Sequence, residues 1–190
     1  MRSLLAQRFP VPGAAQANAR RAAEIVAGAD ADLVVLPELW LSGYDLEHVH
    51  ESAVDLDSPE LAGRRVGPLI CFDVEFPELA RALARAGADL LVTASANMEP
   101  FYSDHQIASQ ARALDNRLPH LYRNRCGVEA RLVFVGGSRA IGSDGTIAAE
   151  AGGGEELLRA EVGRAGTGDD RIDYLAQLRE GSKQRRQSLR

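Results

Sequence analysis

Cys71 closes an apolar run, Val66-Gly67-Pro68-Leu69-Ile70-Cys71, and is followed at once by Phe72-Asp73-Val74-Glu75-Phe76-Pro77-Glu78. That order describes a strand delivering a thiol to a sharp bend just ahead of a helix. A cysteine so placed exposes its sulfur beside unpaired backbone N–H groups, the setting a thiol nucleophile requires. Leu33-Val34-Val35-Leu36-Pro37-Glu38-Leu39-Trp40 does the same for a carboxylate: a buried strand stops at Pro37 and presents Glu38. A thiol and a carboxylate on two strand tips are the parts of a cysteine hydrolase with a glutamate base. Each alone has a plainer reading. A lone cysteine at a strand end is a small buried hydrophobe, and a glutamate after proline is a helix-start charge.

The elements that must carry these residues follow from periodicity. Ser3 to Gln7 reads as a first strand and Ala14 to Ala27 as an Ala-rich helix that Gly28 can end. Asp32 to Leu36 is a short continuous apolar run, as expected of a strand covered on both faces. Asp45 to Gly63 is acidic, aperiodic and reads as a loop. Pro77 suits a first helical position, with Leu79, Ala80, Leu83 and Ala84 on one apolar face. Leu90 to Ala94 is another buried strand. Ser103 and Gln106 have capping-box spacing, and Ile107, Ala108, Ala111 and Leu114 give the helix that follows an apolar stripe. Beyond Leu118 the pattern is β: His120 to Tyr122, Leu132 to Val135, Arg139 to Ile141, Thr146 to Ala149 and Leu157 to Val162. Turns fall at Gly136-Gly137 and Ser143-Asp144-Gly145. Ile172 to Leu178 reads as a last short helix. Alternating strands and helices followed by hairpins imply an α/β layered domain. The reading is a single domain over residues 1–165, shortened between 45 and 66, with a tail over 166–190.

Bulk properties narrow the function classes. The 190 residues, 45% of them hydrophobic, suffice for one sizeable core. No apolar run reaches the length of a membrane span, and the first residues do not form a signal peptide. Two cysteines make no disulfide framework, so a cytoplasmic location is expected. A net charge of −5 argues against nucleic acid as a partner; the basic end from Lys183 to Arg190 reads as solvated. His48, His50, His105 and His120 lack metal-ligand spacing and read as surface or capping residues.

Several segments together resemble the nitrilase, or carbon–nitrogen hydrolase, superfamily: Leu36-Pro37-Glu38-Leu39 with Gly43-Tyr44, and Leu69-Ile70-Cys71-Phe72-Asp73 with Phe76-Pro77-Glu78. Ala86-Gly87-Ala88-Asp89, Ala96-Asn97, Arg112-Ala113-Leu114-Asp115-Asn116, Asn124-Arg125-Cys126-Gly127, Gly136-Gly137-Ser138 and Ser143-Asp144-Gly145 follow in family order. The resemblance implies an α-β-β-α sandwich that pairs as a homodimer across the helices after the nucleophile. It implies hydrolysis of a small-molecule amide or nitrile through a cysteine thioester, with no metal or organic cofactor. It makes Cys71 the nucleophile, Glu38 the base, and the Phe72 backbone N–H an oxyanion donor. Tyr44, Glu75, Asn97 and Met98 are candidates for the substrate pocket; Trp40 and Cys126 read as structural, and Glu78 as a helix N-terminal charge.

The family's triad also contains a lysine, expected between the other two members. Only 32 residues separate Glu38 from Cys71, and none is lysine; Lys183 is the only one in the chain. The chain therefore reads as carrying an internal deletion that removes the lysine and a further supporting glutamate. Arg64 and Arg65 are the nearest candidates to lend positive charge, through a larger and differently aimed group. Three readings follow: an amidase-like hydrolase, an inactive family member with a binding or assembly role, and a poorly folding fragment with unpaired sheet edges.

Overall fold

The computed structural model of the protein describes residues 1–41, 43, 60–61, 64–165, 174 and 177. The chain runs β1 (Arg2–Gln7), α1 (Ala15–Ala27), β2 (Leu33–Val35), β3 (Glu60–Leu61), β4 (Arg64–Ile70), a 3₁₀ turn (Cys71–Glu75), α2 (Pro77–Arg85), β5 (Leu90–Ser95), α3 (Tyr102–Asn116), β6 (His120–Asn124), β7 (Cys126–Glu129), β8 (Leu132–Val135), β9 (Arg139–Ile141), β10 (Ile147–Glu150) and β11 (Glu156–Glu161). Most of the acidic loop, Tyr44 and most of the expected last helix lie outside the described residues.

Two sheets face each other. One has the order β11-β1-β2, the other β10-β9-β6-β5-β4-β3, and β7-β8 forms a separate hairpin. Strands β4, β5 and β6 are parallel, and the first two are joined through α2, the second pair through α3. Covered strands of this kind carry apolar residues on both faces, which is why Leu90 and Leu91 are both fully buried. Leu5 and Val35 from the smaller sheet meet Leu90, Leu121 and Ala140 from the larger one in the main core. On the opposite face Leu69 and Leu91 pack beneath Ala80 and Ala84 of α2. The layered α/β sandwich expected from the sequence is the fold observed.

Arginines tie the layers together. Arg123 of β6 is fully buried and donates through Nε to the Ala6 carbonyl of β1 at 2.6 Å, so it bridges the two sheets. Arg139 Nε donates to the Gly137 carbonyl at 2.9 Å, and its guanidinium lies 5.1 Å from the centre of the Tyr122 ring.

Three local expectations are corrected. Glu60–Leu61, inside the stretch expected to be a loop, is strand β3 and pairs antiparallel with the start of β4. Helix α3 begins at Tyr102 without a side-chain cap; Ser103 Oγ instead donates to its neighbour Asp104 at 3.3 Å. The buried face of α3 is largely polar, comprising His105, Ala108, Ser109, Arg112, Ala113 and Asn116. Ile107 and Leu114 of the expected stripe point outward, Ile107 with 67% exposure.

Leu5 sits at the centre of the inter-sheet core with no exposure. Leu5→Ala is expected to cost about 2–5 kcal/mol, read as a lower denaturant midpoint with an unchanged slope.

Candidate active site

The parallel register brings the two chemical groups together. Ile70 of β4 lies beside Ala94 of β5, so Cys71 emerges next to Ser95 and Ala96. Cys71 takes φ 46° and Leu39, just after Glu38, takes φ 52°. Left-handed backbone at non-glycine residues costs on the order of 1–3 kcal/mol each and clusters where a side chain must be aimed. The elbow at Cys71 is braced on both sides. Asp73 accepts the Ile70 N–H at 3.0 Å. Buried Arg112 of α3 donates through Nε to the Val74 carbonyl at 3.0 Å and holds the 3₁₀ turn against the helix.

Glu38 and Cys71 meet there. Their side chains lie close enough to shift each other's ionisation, and the Ala96 backbone N–H faces both. Ser95 Oγ donates to Cys71 Sγ at 3.6 Å. Burial pushes the Cys71 thiol up to about 11, with the Glu38 charge adding to the rise. Burial likewise raises the Glu38 carboxyl above its ordinary value, partly offset by its hydrogen bond to Cys71. Glu38 Oε2 is buried and makes no hydrogen bond among the described residues. An ionised carboxylate in such a place is costly without a partner. The site thus holds an acid pair with one carboxyl oxygen that has no hydrogen-bond partner among the described residues.

Arg64 and Arg65 do not supply a cation there. They begin β4 while Cys71 follows its far end, and at ~3.3 Å per residue the separation is roughly 20 Å. Arg64 Nη2 instead donates to the Val162 carbonyl at 3.3 Å.

The remaining expected residues divide. Phe72 directly follows the elbow, and its ring packs edge-on against Phe76 at 5.0 Å. Glu75 turns to His105, with Oε1 3.1 Å from Nε2. Asn97 is buried and fixes the loop after β5, donating to the Phe101 carbonyl at 2.9 Å. Met98 bridges to Phe134. Trp40 is buried, with its Nε1 donating to the Asn18 carbonyl at 2.9 Å, and Cys126 is buried at the start of β7. Tyr44, His48 and His50 lie outside the described residues. The reading of His105 and His120 as surface or capping residues is overturned: both are buried, because parallel strands and α3 close over them. Sequence reasoning missed Ser95 and Tyr122, which stand beside Cys71 and His105. A usable signal for Ser95 is its position at a strand's carboxyl end, the same rule that marks Asn97.

The carbon–nitrogen hydrolase family model matches residues 5–64 and 60–172. The chain belongs to the carbon–nitrogen hydrolase family. An (R)-stereoselective amidase from Pseudomonas sp is 45% identical over 120 residues, covering 62% of this chain and 44% of that protein. An amidase from Nesterenkonia sp. superposes with a TM-score of 0.77 at 25% identity, covering 95% of each chain. A glutamate-to-glutamine variant of the Nesterenkonia sp. AN1 amidase, with TM-score 0.76, 25% identity and 95% and 96% coverage, shows the acetamide moiety of fluoroacetamide added covalently at its active-site cysteine. The chain spans less than half the length of the curated relatives it matches. The two matched stretches of this carbon–nitrogen hydrolase chain meet at residues 60–64, between the glutamate and cysteine segments. No helix among the described residues is long and apolar enough to cross a membrane.

Glu38→Gln removes the like charge facing Cys71, so the thiol's pKa falls below about 11. Iodoacetamide is then expected to alkylate Cys71 faster in the variant than in the parent at pH 8. The raised Glu38 pKa means that the folded state favours the neutral acid. Its stabilising contribution is complete below the unfolded value and lost as pH rises through the folded one. Glu38→Gln is therefore also expected to raise Tm at pH 7, by ~2–4 °C per kcal/mol recovered.

Proposed function

We propose that this chain is an amidase-like hydrolase acting on non-peptide carbon–nitrogen bonds of small molecules, with Cys71 as nucleophile and Glu38 as general base. The observation that carries this reading is the approach of the Glu38 carboxyl to the Cys71 thiol at the end of β4, close enough that each shifts the other's ionisation. The named activity of the amidase relatives and the covalent cysteine adduct of the Nesterenkonia protein support it. Glu38 takes the thiol proton as sulfur attacks the carbonyl carbon. The tetrahedral oxyanion accepts from the Phe72 backbone N–H. Glu38 then returns the proton to the departing amine, leaving a thioester that water, activated by the same carboxylate, hydrolyses.

Turnover by this route is weak. A thiol held near 11 is almost wholly protonated at pH 7, and losing one oxyanion donor costs ~10²–10³ in rate. The lack of a hydrogen bond to buried Glu38 Oε2 among the described residues supports the reading that the cation of the family's triad is missing here. That same observation favours a second reading, a catalytically silent family member with an assembly role. Both place the domain over residues 1–165 and the protein in the cytoplasm. Both also make it a homodimer across the outward faces of α2 and α3, where Leu79, Ile107 and Leu114 are exposed.

Purified chain assayed on short aliphatic amides separates the two. Ammonia release above that of a Cys71→Ala control, abolished also by Glu38→Gln, is the expected result; release equal to the control would leave the silent reading. Ile107→Glu is expected to convert the dimer to monomer in sedimentation velocity, while a parent already monomeric would remove the dimer.

A further inference from the structure

Behind Cys71 lies a chain of polar side chains that the proposed reaction does not use, buried at Ser95, Tyr122 and His105 and partly exposed at Glu75. Glu75 Oε1 is 3.1 Å from His105 Nε2. A carboxylate only accepts, so Nε2 carries the proton. Burial holds the His105 imidazole below its ordinary value; Glu75 from the 3₁₀ turn and Asp104 from α3 oppose this, and Arg139 from β9 adds to it. The ring is therefore neutral at pH 7, and Nδ1 offers a single lone pair.

Two hydroxyls compete for that lone pair, Tyr122 Oη at 2.7 Å and Ser95 Oγ at 3.4 Å. The tyrosine is better placed. Its occupancy leaves the one Ser95 proton to Tyr122 Oη, 3.2 Å away, or to Cys71 Sγ, 3.6 Å away. As the sulfur gains negative charge it becomes the stronger acceptor, because hydrogen bonds to charged groups are roughly twice as strong as neutral ones.

We propose that Ser95 is a positioning residue for Cys71, and that Tyr122, His105 and Glu75 form the chain that keeps its hydroxyl proton on the sulfur. Glu75 fixes the tautomer of His105, and His105 binds the proton of Tyr122. Tyr122 thereby denies Nδ1 to Ser95. Deleting the tyrosine hydroxyl opens Nδ1, and the Ser95 proton swings away from Cys71.

The proposal rests on Cys71 being the nucleophile, yet its test needs no amide. The full chain is treated with iodoacetamide at pH 9, and modification of the Cys71 peptide is followed by mass spectrometry. Ser95→Ala removes a donor to the thiolate and is expected to slow alkylation roughly tenfold. Ser95→Thr, which keeps a hydroxyl, is expected to retain the parent rate. Tyr122→Phe is expected to slow alkylation in the same direction, and Ser95→Ala/Tyr122→Phe to be no slower than Ser95→Ala. A merely structural role would lower Tm without this pattern. An unchanged rate in Ser95→Ala overturns the proposal; so does an unchanged rate in Tyr122→Phe, or additive losses in the double variant. Should Tyr122→Phe not fold, the hydroxyl-for-hydrogen change at Ser95 still decides whether that residue acts on the sulfur. Absent amide turnover with the expected alkylation pattern would remove the hydrolase reading and keep the positioning role.

Discussion

The constraint on which the site depends is the burial of a carboxylic acid against a thiol, with no hydrogen bond to Glu38 Oε2 among the described residues. In water neither group is costly to ionise at its own pH. Under the sandwich both resist charge, and the Glu38 charge pushes the thiol up further, while Cys71 partly offsets the rise at Glu38. Buried acid pairs are held open for function rather than for stability, since an apolar replacement would remove the desolvation cost altogether. The backbone supplies part of the compensation: one Ala96 N–H faces both groups. It cannot supply a full positive charge, and Glu38 Oε2 records the difference.

Everything around the pair serves to hold the elbow at Cys71. The parallel pairing of β4 with β5 sets its depth, and that of β5 with β6 sets Ser95 opposite Asn124. Asn124 then accepts the Asn97 N–H at 2.7 Å and donates to the Gly136 carbonyl at 2.7 Å. The loop after β5 is thereby tied to the Gly136-Gly137 turn. Arg112 reaches from α3 to the turn after Cys71. A left-handed cysteine is unfavourable in isolation, and it persists here because three elements over-determine it.

Most strands were legible because buried parallel strands write themselves as short apolar runs between breakers; β3, inside the stretch read as a loop, and β7 were not. Leu90 to Ala94 is a case where the run and the strand nearly coincide. Glu38 and Cys71 were legible as strand-tip residues. The face of α3 was not, since its inward positions recur at helical spacing but carry His105, Ser109, Arg112 and Asn116. A periodicity read in apolar residues selects Ile107 and Leu114 instead, the wrong side of the helix. Arg112 appeared only as part of a matching segment, with no sign that it clamps the turn after Cys71. Polar burial of this kind has no local signature, because its partners come from β6, β9 and the 3₁₀ turn, far away in sequence.

The openness of the site follows from the unequal sheets. Along β4, Val66 packs into the main core, whereas Pro68 and Ile70 on the same face are exposed, Ile70 by 54%. Strand β2 contributes only three residues to the smaller sheet, so its cover gives out toward the Cys71 end. Leu69, on the other face, is buried under α2. Cys71 therefore stands where one face of the sheet is sealed and the other is not. Sealing excludes water and raises the cost of charge, while the open face leaves the sulfur half-buried and within reach of a reagent. A site of this kind gains acidity from added donors more than from added burial, and Ser95 is the donor already in place.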